Sequence, residues 1–230
     1  MSNIAELLLK NKDLGKILKQ ASAVSSKLKI PAYVVGGYVR DTILGKAPKE
    51  IDLMVEKNSA KFSETLAKKL KVDNIVRFDK YHTYRIPFSK ADIEIAAARK
   101  ETYKSTSRKP DKVILTSIEG DLSRRDFTIN ALMYDVENDE ILDFFGGQGD
   151  IESKNIKHVD PKTFVEDPLR VYRAAQFASR FGFSIDPSTQ KLARSMDLSD
   201  LPKERVFGEV QKMLLQSPKP SVGIQALDDM

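Results

Sequence analysis

The fold is decided by the stretch Tyr33-Val34-Val35-Gly36-Gly37-Tyr38-Val39-Arg40-Asp41, followed by Lys49-Glu50-Ile51-Asp52-Leu53-Met54. A short apolar run that ends in Gly36 and Gly37 predicts a strand, a tight turn and then a helix. The second segment predicts another strand, on which Glu50 and Asp52 point to the same side because they are two residues apart. The sequence therefore predicts two carboxylates on one sheet face, close to a glycine turn.

Together these features predict a site for a nucleoside triphosphate. Gly36 and Gly37 would let backbone N–H groups at a helix start approach a phosphate, with Arg40 as a nearby cation. Glu50 and Asp52 are candidate catalytic residues and Mg²⁺ ligands, since Mg²⁺ prefers hard oxygen atoms and two such ions support phosphoryl transfer. Alone, a glycine pair is usually a turn and an acidic pair a surface feature. Their combination favours a nucleotidyltransferase.

Composition narrows the class of protein. The 230 residues allow one large domain, or one domain followed by a smaller helical one. The absence of cysteine excludes disulfide-linked partners and fits a cytoplasmic protein. No apolar run approaches the roughly 18 residues of a membrane span, so no membrane partner is expected. A net charge of +5 favours an anionic partner without proving one.

Alternating and helical patterns predict the rest of the first domain. We expect an amphipathic helix over Ala60–Leu70 and strands over Ile75–Phe78, Tyr84–Phe88 and Asp92–Ala97. In the last strand, Glu94 is either a third carboxylate of the acidic site or a solvent-facing acid on an edge strand. The polar, basic stretch Lys100–Lys112 predicts a loop, which either folds over a substrate or is an ordinary surface loop.

A second charged stretch reads Arg124-Arg125-Asp126-Phe127-Thr128-Ile129-Asn130-Ala131. Arg124 and Arg125 offer guanidinium forks suited to phosphate, and Asp126 can accept a hydrogen bond from a ribose hydroxyl. Asn130 lies one helical turn beyond Asp126 and joins this candidate nucleotide-binding set. From the residues alone, a surface charge cluster that caps a helix explains the stretch equally well.

Two of these strings resemble a known family. Val35–Asp41 is similar to the glycine turn of bacterial CCA-adding enzymes and poly(A) polymerases, within the DNA polymerase β nucleotidyltransferase superfamily. Arg124–Ala131 resembles the ribose-recognition motif of the same family almost letter for letter. The resemblance implies an α+β fold: a nucleotidyltransferase head with a mixed, mostly antiparallel sheet and helices, followed by an all-helical neck.

A third motif, Glu166-Asp167-Pro168-Leu169-Arg170-Val171-Tyr172-Arg173, lies at a predicted helix start. Asp167, Arg170 and Arg173 follow three-residue steps, which usually indicate only a helix salt bridge. Cytosine and adenine each present an exocyclic amine donor beside a ring-nitrogen acceptor. Asp167 and Arg170 complement that pattern, whereas uracil and guanine reverse it. The motif resembles the base-selecting motif of the family, and Arg173 matches a further nucleotide-contacting arginine.

We therefore expect a catalytic head over residues 1–148 and a helical neck over residues 149–230, with the hinge in the glycine-rich segment 146–150. Pro202–Glu209 resembles the last neck motif, which in the family braces the base-reading helix. Two departures stand out: Glu50 replaces the usual Asp, and Gln176 occupies the place of a frequent arginine. The resemblance also implies that relatives continue beyond Met230 into a body and tail that hold tRNA.

The expected function is template-independent addition of C and A, from CTP and ATP, to the 3′ end of tRNA, with Mg²⁺ as cofactor. One alternative within the same chemistry is a poly(A) polymerase, or an enzyme that adds only CC or only A. A second alternative, from another class, is a nucleotide- or RNA-binding module in which Glu50 and the missing tail have abolished catalysis.

Overall fold

The structure, a computed structural model, describes residues 12–46, 48, 50–88, 91–102 and 112–230. The chain divides into two compact units. The first comprises Met1–Leu122 and Leu132–Phe144, and the second comprises Ser123–Ala131 and Phe145–Met230. The segment 123–131 thus packs with the second unit. The predicted boundary at residue 148 would instead place this segment in the first domain. As a functional boundary, residue 148 stays a prediction.

The first unit consists of helices around one sheet. Its helices are α1 (Lys12–Leu28), α2 (Gly37–Ile43), α3 (Ser59–Leu70) and α4 (Ile118–Ser123). Its strands are β1 (Ala32–Val35), β2 (Ile51–Val55), β3 (Val76–Phe78), β4 (Thr83–Phe88), β5 (Ala91–Ala97), β6 (Arg99–Thr102), β7 (Lys112–Leu115), β8 (Met133–Asp135) and β9 (Glu140–Leu142). The predicted helix and strands of this region are therefore present, with ends shifted by one residue.

Seven of these strands form one sheet in the order β3-β4-β5-β2-β1-β8-β9. The β2–β5 pair is parallel, and the other neighbouring pairs are antiparallel. The expected mixed, mostly antiparallel sheet is confirmed. Strands β6 and β7 form a separate antiparallel ribbon, so both ends of the predicted basic loop are strands. The middle of that loop, residues 103–111, lies outside the described residues.

One face of the sheet holds the hydrophobic core of the first unit. Ile51, Leu53 and Val55 of β2, and Ile93 and Ile95 of β5, are almost completely buried. Helices α1 and α3 pack on the sheet and on each other. Because side chains alternate along a strand, Asp52 projects from the opposite face and is exposed. Core formation therefore fixes the direction of this carboxylate.

The second unit is mainly helical, as expected. Its helices are α5 (Gly147–Glu152), α6 (Pro161–Phe164), α7 (Leu169–Phe181), α8 (Pro187–Arg194), α9 (Lys203–Gln216) and α10 (Pro220–Asp229). One addition was not expected: a short parallel pair of β10 (Asn155–Ile156) and β11 (Ser184–Ile185). Helices α9 and α10 both pack against α7, which is the central helix of the unit.

The glycine-rich segment 146–150, where the hinge is predicted, contains the start of a helix. Gly146 has a φ of 77°, a left-handed conformation that favours glycine, and α5 begins at the next residue. In the same unit, Phe127 packs edge-on against Phe164 and Phe177 at centroid distances of 5.9 and 5.8 Å. This aromatic contact fastens the 123–131 segment to α6 and α7.

No helix in the described part of the chain is long and apolar enough to cross a membrane.

Candidate functional site

The glycine turn has the predicted strand–turn–helix form. Gly36 directly follows β1 with φ 72° and ψ −134°, a combination that residues with a side chain rarely adopt. Its N–H donates to the Leu132 carbonyl at 3.3 Å, which ties the turn to the start of β8. A Cβ added to Gly37 would lie 3.2 Å from Nη2 of Arg40. The backbone conformation thus favours glycine at position 36, and a side chain at position 37 would be in tight contact with Arg40.

Arg40 lies beneath this turn. Its side chain is buried, and its Nε and Nη2 donate to Oδ1 of Asp41 at 2.8 and 2.7 Å. A guanidinium held in this way has a fixed orientation next to the turn. Direct contact between Arg40 and a phosphate stays a prediction.

We expect the substitution Gly36→Ala to lower the free energy of unfolding by about 1–3 kcal/mol, because alanine is strained at this φ and ψ. Urea unfolding followed by circular dichroism measures the effect. Gly149→Ala is the matched control: its φ is not in the left-handed region and no atom lies within 4 Å of the added Cβ. Equal stability of the two variants would contradict the strain argument.

Of the two acids predicted on one strand, only Asp52 lies within it. Glu50 directly precedes β2, and both side chains are exposed. Asp52 is paired with Glu94 in the parallel β2–β5 register, so the two carboxylates stand side by side on one face. Since β5 is bordered by β2 and β4, the edge-strand interpretation of Glu94 is wrong.

Glu94 and Asp92 both face Arg85 of β4. Arg85 lies 3.7 Å from a carboxylate oxygen of each, and all three side chains are about half exposed. Solvent screens such pairs, so they contribute little to stability. On this face of the sheet, the positive charge of Arg85 offsets part of the negative charge next to Asp52.

The acidic site offers carboxylate oxygens, the type of ligand that Mg²⁺ requires. The described residues contain no group of three or more His, Cys, Asp or Glu side chains placed to hold a metal. Glu94 therefore does not complete a three-carboxylate cage. Mg²⁺ in nucleotide enzymes is commonly held by one or two carboxylates, with substrate phosphates and water as the other ligands. The exposed acids Glu50 and Asp52 fit that donor set.

In the second unit, Asp126 is the centre of a hydrogen-bond network. Its Oδ1 accepts from the Phe127 N–H at 2.8 Å and from Nδ2 of Asn130 at 2.9 Å. Its Oδ2 accepts from Nε and Nη2 of Arg173 at 2.8 and 2.6 Å. Burial by itself raises the pKa of Asp126, but the Arg173 charge and these hydrogen bonds outweigh it and hold the pKa below 3.8. The one-turn spacing of Asp126 and Asn130 is confirmed as a contact.

Arg170 is fixed by two backbone carbonyls. Its Nη1 donates to the Thr163 carbonyl at 2.6 Å, and its Nη2 donates to the Arg124 carbonyl at 2.5 Å. Burial lowers the pKa of this guanidinium, against the opposing effect of Asp126 and other acids. The side chain of Arg125 donates to the Asn130 carbonyl at 3.2 Å. The arginine-rich segment thus contributes carbonyl acceptors, which its sequence did not suggest.

Asp167 and Arg173 are each paired with helix α9. Asp167 Oδ1 accepts from the Leu169 N–H at 3.2 Å, and its Oδ2 accepts from Arg205 Nη2 at 2.8 Å. Arg173 Nη1 lies 3.7 Å from Oε1 of Glu209. Arg205 and Glu209 were missed as site residues. Their opposite charges, four residues apart in the Pro202–Glu209 motif, were the available signal.

A mixed sheet with a glycine turn and exposed acids, together with a helical unit rich in fixed arginines, defines a nucleotidyltransferase-type architecture. The sequence profile of the poly A polymerase head domain matches residues 32–157, and the chain belongs to this family. A second profile, described as the probable RNA and SrmB-binding site of polymerase A, matches residues 182–230.

Individual relatives agree with this assignment. The A-adding tRNA nucleotidyltransferase of Aquifex aeolicus is 38% identical over 190 residues, which are 80% of this chain and 23% of the relative. The multifunctional CCA protein of Pasteurella multocida is 38% identical over 206 residues, or 86% of this chain and 47% of that protein. The structure of the Thermotoga maritima CCA-adding enzyme complexed with tRNA(CCA) superposes with a TM-score of 0.83 at 30% identity. The superposition covers 98% of this chain and 53% of the Thermotoga maritima chain. The chain thus spans less than half of the length of these two curated relatives.

Proposed function

We propose that this chain is the nucleotide-handling part of a tRNA nucleotidyltransferase that adds C and A to the 3′ end of tRNA without a template. The observation that carries the proposal is the pair of Asp167 and Arg170, which are a fixed acceptor and a fixed donor at the start of one helix. The names of the relatives, A-adding tRNA nucleotidyltransferase and multifunctional CCA protein, support the same reaction. A cytoplasmic location follows from this proposal.

In the first unit, Glu50 and Asp52 would hold Mg²⁺. When bound, the metal supplies a Lewis acid for phosphate oxygens and lowers the pKa of an attacking hydroxyl. Backbone N–H groups of the turn at Gly36 and Gly37 are proposed to bind the triphosphate, and Arg40, which lies next to Gly37, is proposed to stabilise that turn. Asp52 and Glu94, next to each other on the sheet face, are proposed to keep the 3′-hydroxyl oriented.

In the second unit, the proposed base recognition needs one acceptor and one donor at fixed positions. Asp167 accepts from the exocyclic amine of cytosine or adenine, and Arg170 donates to the neighbouring ring nitrogen. Two carbonyls hold the Arg170 guanidinium, so it cannot turn to suit another base. Uracil or guanine would place a carbonyl against a carboxylate and an N–H against a guanidinium. These polar groups would stay unpaired, and the resulting loss of binding free energy excludes uracil and guanine.

Contact between Asp126 and a ribose requires that one existing hydrogen bond of Asp126 is exchanged. Asp126 already accepts four hydrogen bonds within the protein, so a ribose hydroxyl must take the place of one of them. Asn130 and Arg173 are the side chains that can exchange. Arg124, Arg125 and Arg173 would then contribute positive charge toward phosphate groups.

A second candidate function is addition of A alone. The relatives from Aquifex aeolicus and Geobacter sulfurreducens carry the name A-adding tRNA nucleotidyltransferase, and this chain is 38% and 36% identical to them. The recognition pattern of Asp167 and Arg170 suits adenine and cytosine equally. A measurement of which nucleotides are incorporated therefore distinguishes addition of C and A from addition of A alone.

The test incubates the chain with Mg²⁺, labelled CTP or ATP, and tRNAs that end before CCA, after CC, or complete. We expect C on the first substrate and A on the second, with UTP and GTP excluded. Incorporation of A alone supports the second candidate. Nucleotide binding without incorporation on either incomplete tRNA would overturn the proposed reaction and leave a nucleotide-binding module.

A further inference from the structure

One row of side chains crosses the sheet of the first unit, from its β3 edge to Asp52. Val76 of β3 pairs with Arg85 of β4, and Arg85 pairs with Glu94 of β5. Glu94 in turn pairs with Asp52 of β2. Because directly opposed residues of neighbouring strands point to the same side of a sheet, all four side chains share one face, here called the acid face. At about 4.8 Å per strand step, the row is roughly 14 Å long.

The edge end of this row is apolar and exposed. Phe78 lies two residues after Val76 on β3, and therefore on the same face. The two side chains are 43% and 47% exposed. Arg77, between them, points to the opposite side, where its Nη1 lies 3.0 Å from Oε1 of Glu64 in α3. Val76 and Phe78 thus form an edge patch on the acid face, outside the core.

Cations lie close to the edge patch. Arg85 is half exposed, and its contacts with Asp92 and Glu94 are 3.7 Å long. That distance is beyond a hydrogen bond, so these contacts do not use the N–H donors that a phosphate requires. Lys80, two residues after Phe78, is also exposed. An exposed aromatic ring beside cations is the combination that binds single-stranded nucleic acid, through base stacking and phosphate contacts.

The geometry of phosphoryl transfer places the acceptor strand on this side of Asp52. The attacking and leaving oxygens lie roughly in line, on opposite sides of the transferred phosphorus. The proposed triphosphate site follows β1, which borders β2 on one side, whereas β5 borders β2 on the other. With pyrophosphate leaving on the β1 side, the 3′-hydroxyl approaches from the β5 side. The nucleotides behind that hydroxyl then have the row toward the edge patch available to them.

We propose that the row from Asp52 to the edge patch is the path of the RNA strand that is extended: Phe78 stacks on the base of a nucleotide behind the 3′ end, and Arg85 contacts a phosphate on the way. The inference rests on the proposed function and deepens it, since it names residues that hold the acceptor strand. Stacking accepts any base, because every base has a π-face, so the contact fixes position without reading sequence. Loss of the Phe78 ring should therefore weaken RNA binding and leave nucleotide binding unchanged.

The test measures binding of a single-stranded RNA that ends in CC to the 230-residue chain, by fluorescence anisotropy without Mg²⁺ or nucleotide. We expect Phe78→Ala to weaken binding about tenfold, the usual effect of removing one stacked ring. Phe78→Tyr keeps a ring and should stay within about twofold of the wild type, whereas Phe78→Leu, which is apolar but has no ring, should lose affinity. Phe144→Ala is the matched control, since Phe144 is a 50% exposed phenylalanine of the same unit, and it should not change the affinity.

An abasic nucleotide in the RNA identifies the stacked base. Placed at successive positions behind the 3′ end, it should weaken wild-type binding most at one position. Phe78→Ala should bind that abasic RNA as well as it binds the intact RNA, because the ring that stacks is gone. An equal loss in both proteins would contradict the stacking contact. Arg85→Gln should make the slope of log affinity against log salt shallower by about 0.7, the effect of losing one contact with a single-strand phosphate.

The outcomes separate this inference from the proposed function. RNA binding that Phe78→Ala and Phe78→Leu leave unchanged, or no RNA binding by the wild-type chain, would overturn the path over the acid face without bearing on the reaction. A chain that binds RNA through Phe78 but incorporates no nucleotide would support the path and overturn the reaction. Dimerisation that Phe78→Ala abolishes would assign the edge patch to a second copy of the chain and overturn the path. Melting curves identify a variant that fails to fold, and Phe78→Leu then decides.

Discussion

Asp52→Asn is expected to reduce nucleotide incorporation about a thousandfold while leaving the fold intact. The variant keeps the shape of the side chain but removes the charge that would bind Mg²⁺. A metal ion contributes several kcal/mol to stabilising the transition state of phosphoryl transfer, and each 1.4 kcal/mol changes the rate tenfold. Since Asp52 is exposed on the sheet face away from the core, stability should stay within about 0.5 kcal/mol of the wild type.

The structure offers a closely matched control for this experiment. Asp92 is also an exposed aspartate, on the adjacent strand β5, where it lies 3.7 Å from Arg85. Asp92→Asn makes the same chemical change close by and should alter incorporation less than about threefold. Single-turnover rates with labelled ATP and a tRNA ending in CC compare the two variants. If both lose activity equally, the general charge of the face matters and the assignment of Asp52 fails.

The largest effect on stability is expected for Asp126→Asn, which should lower the free energy of unfolding by about 3 kcal/mol. Removing one partner from a buried ion pair leaves the other charge uncompensated, at a cost of roughly 3–5 kcal/mol. The lower end applies because Asp126 is 8% exposed but Arg173 is 32% exposed, so water relieves part of the penalty. Urea unfolding at pH 7 measures the loss, and Asp228→Asn, an exposed acid of the same unit, is the control.

The pH dependence of that difference provides an independent readout. The pKa of Asp126 in the folded chain lies below its ordinary value of 3.8, so its stabilisation is complete above about pH 4 to 5 and is lost as pH falls through the folded pKa. The stability gap between the wild type and Asp126→Asn should therefore shrink when pH falls below about 4. A gap that is already absent at pH 7 would show that the ion pair does not support this unit.

Prediction from the sequence was most successful where local patterns suffice. Alternation in Asp92–Ala97 and the three- and four-residue spacing in Ala60–Leu70 depend on neighbouring residues, and both elements formed within one residue of their predicted ends. Segment 146–150 was predicted as a hinge from its glycines; the structure places the start of α5 there, and the hinge stays a prediction. Within this segment only Gly146 has a positive φ, and α5 begins at the next residue.

The sequence by itself determined the family, the glycine turn, the direction of Asp52 and the spacing of Asp167, Arg170 and Arg173. These properties follow from local chemistry, since strand alternation and helical periodicity repeat over a few residues. Only the tertiary structure decided which partners these side chains have: Glu94 beside Asp52, Asp126 with Arg173, and Arg205 with Asp167. Such pairs join residues about 40 positions apart, and strand register and helix packing, which bring them together, are set by the burial of the whole core.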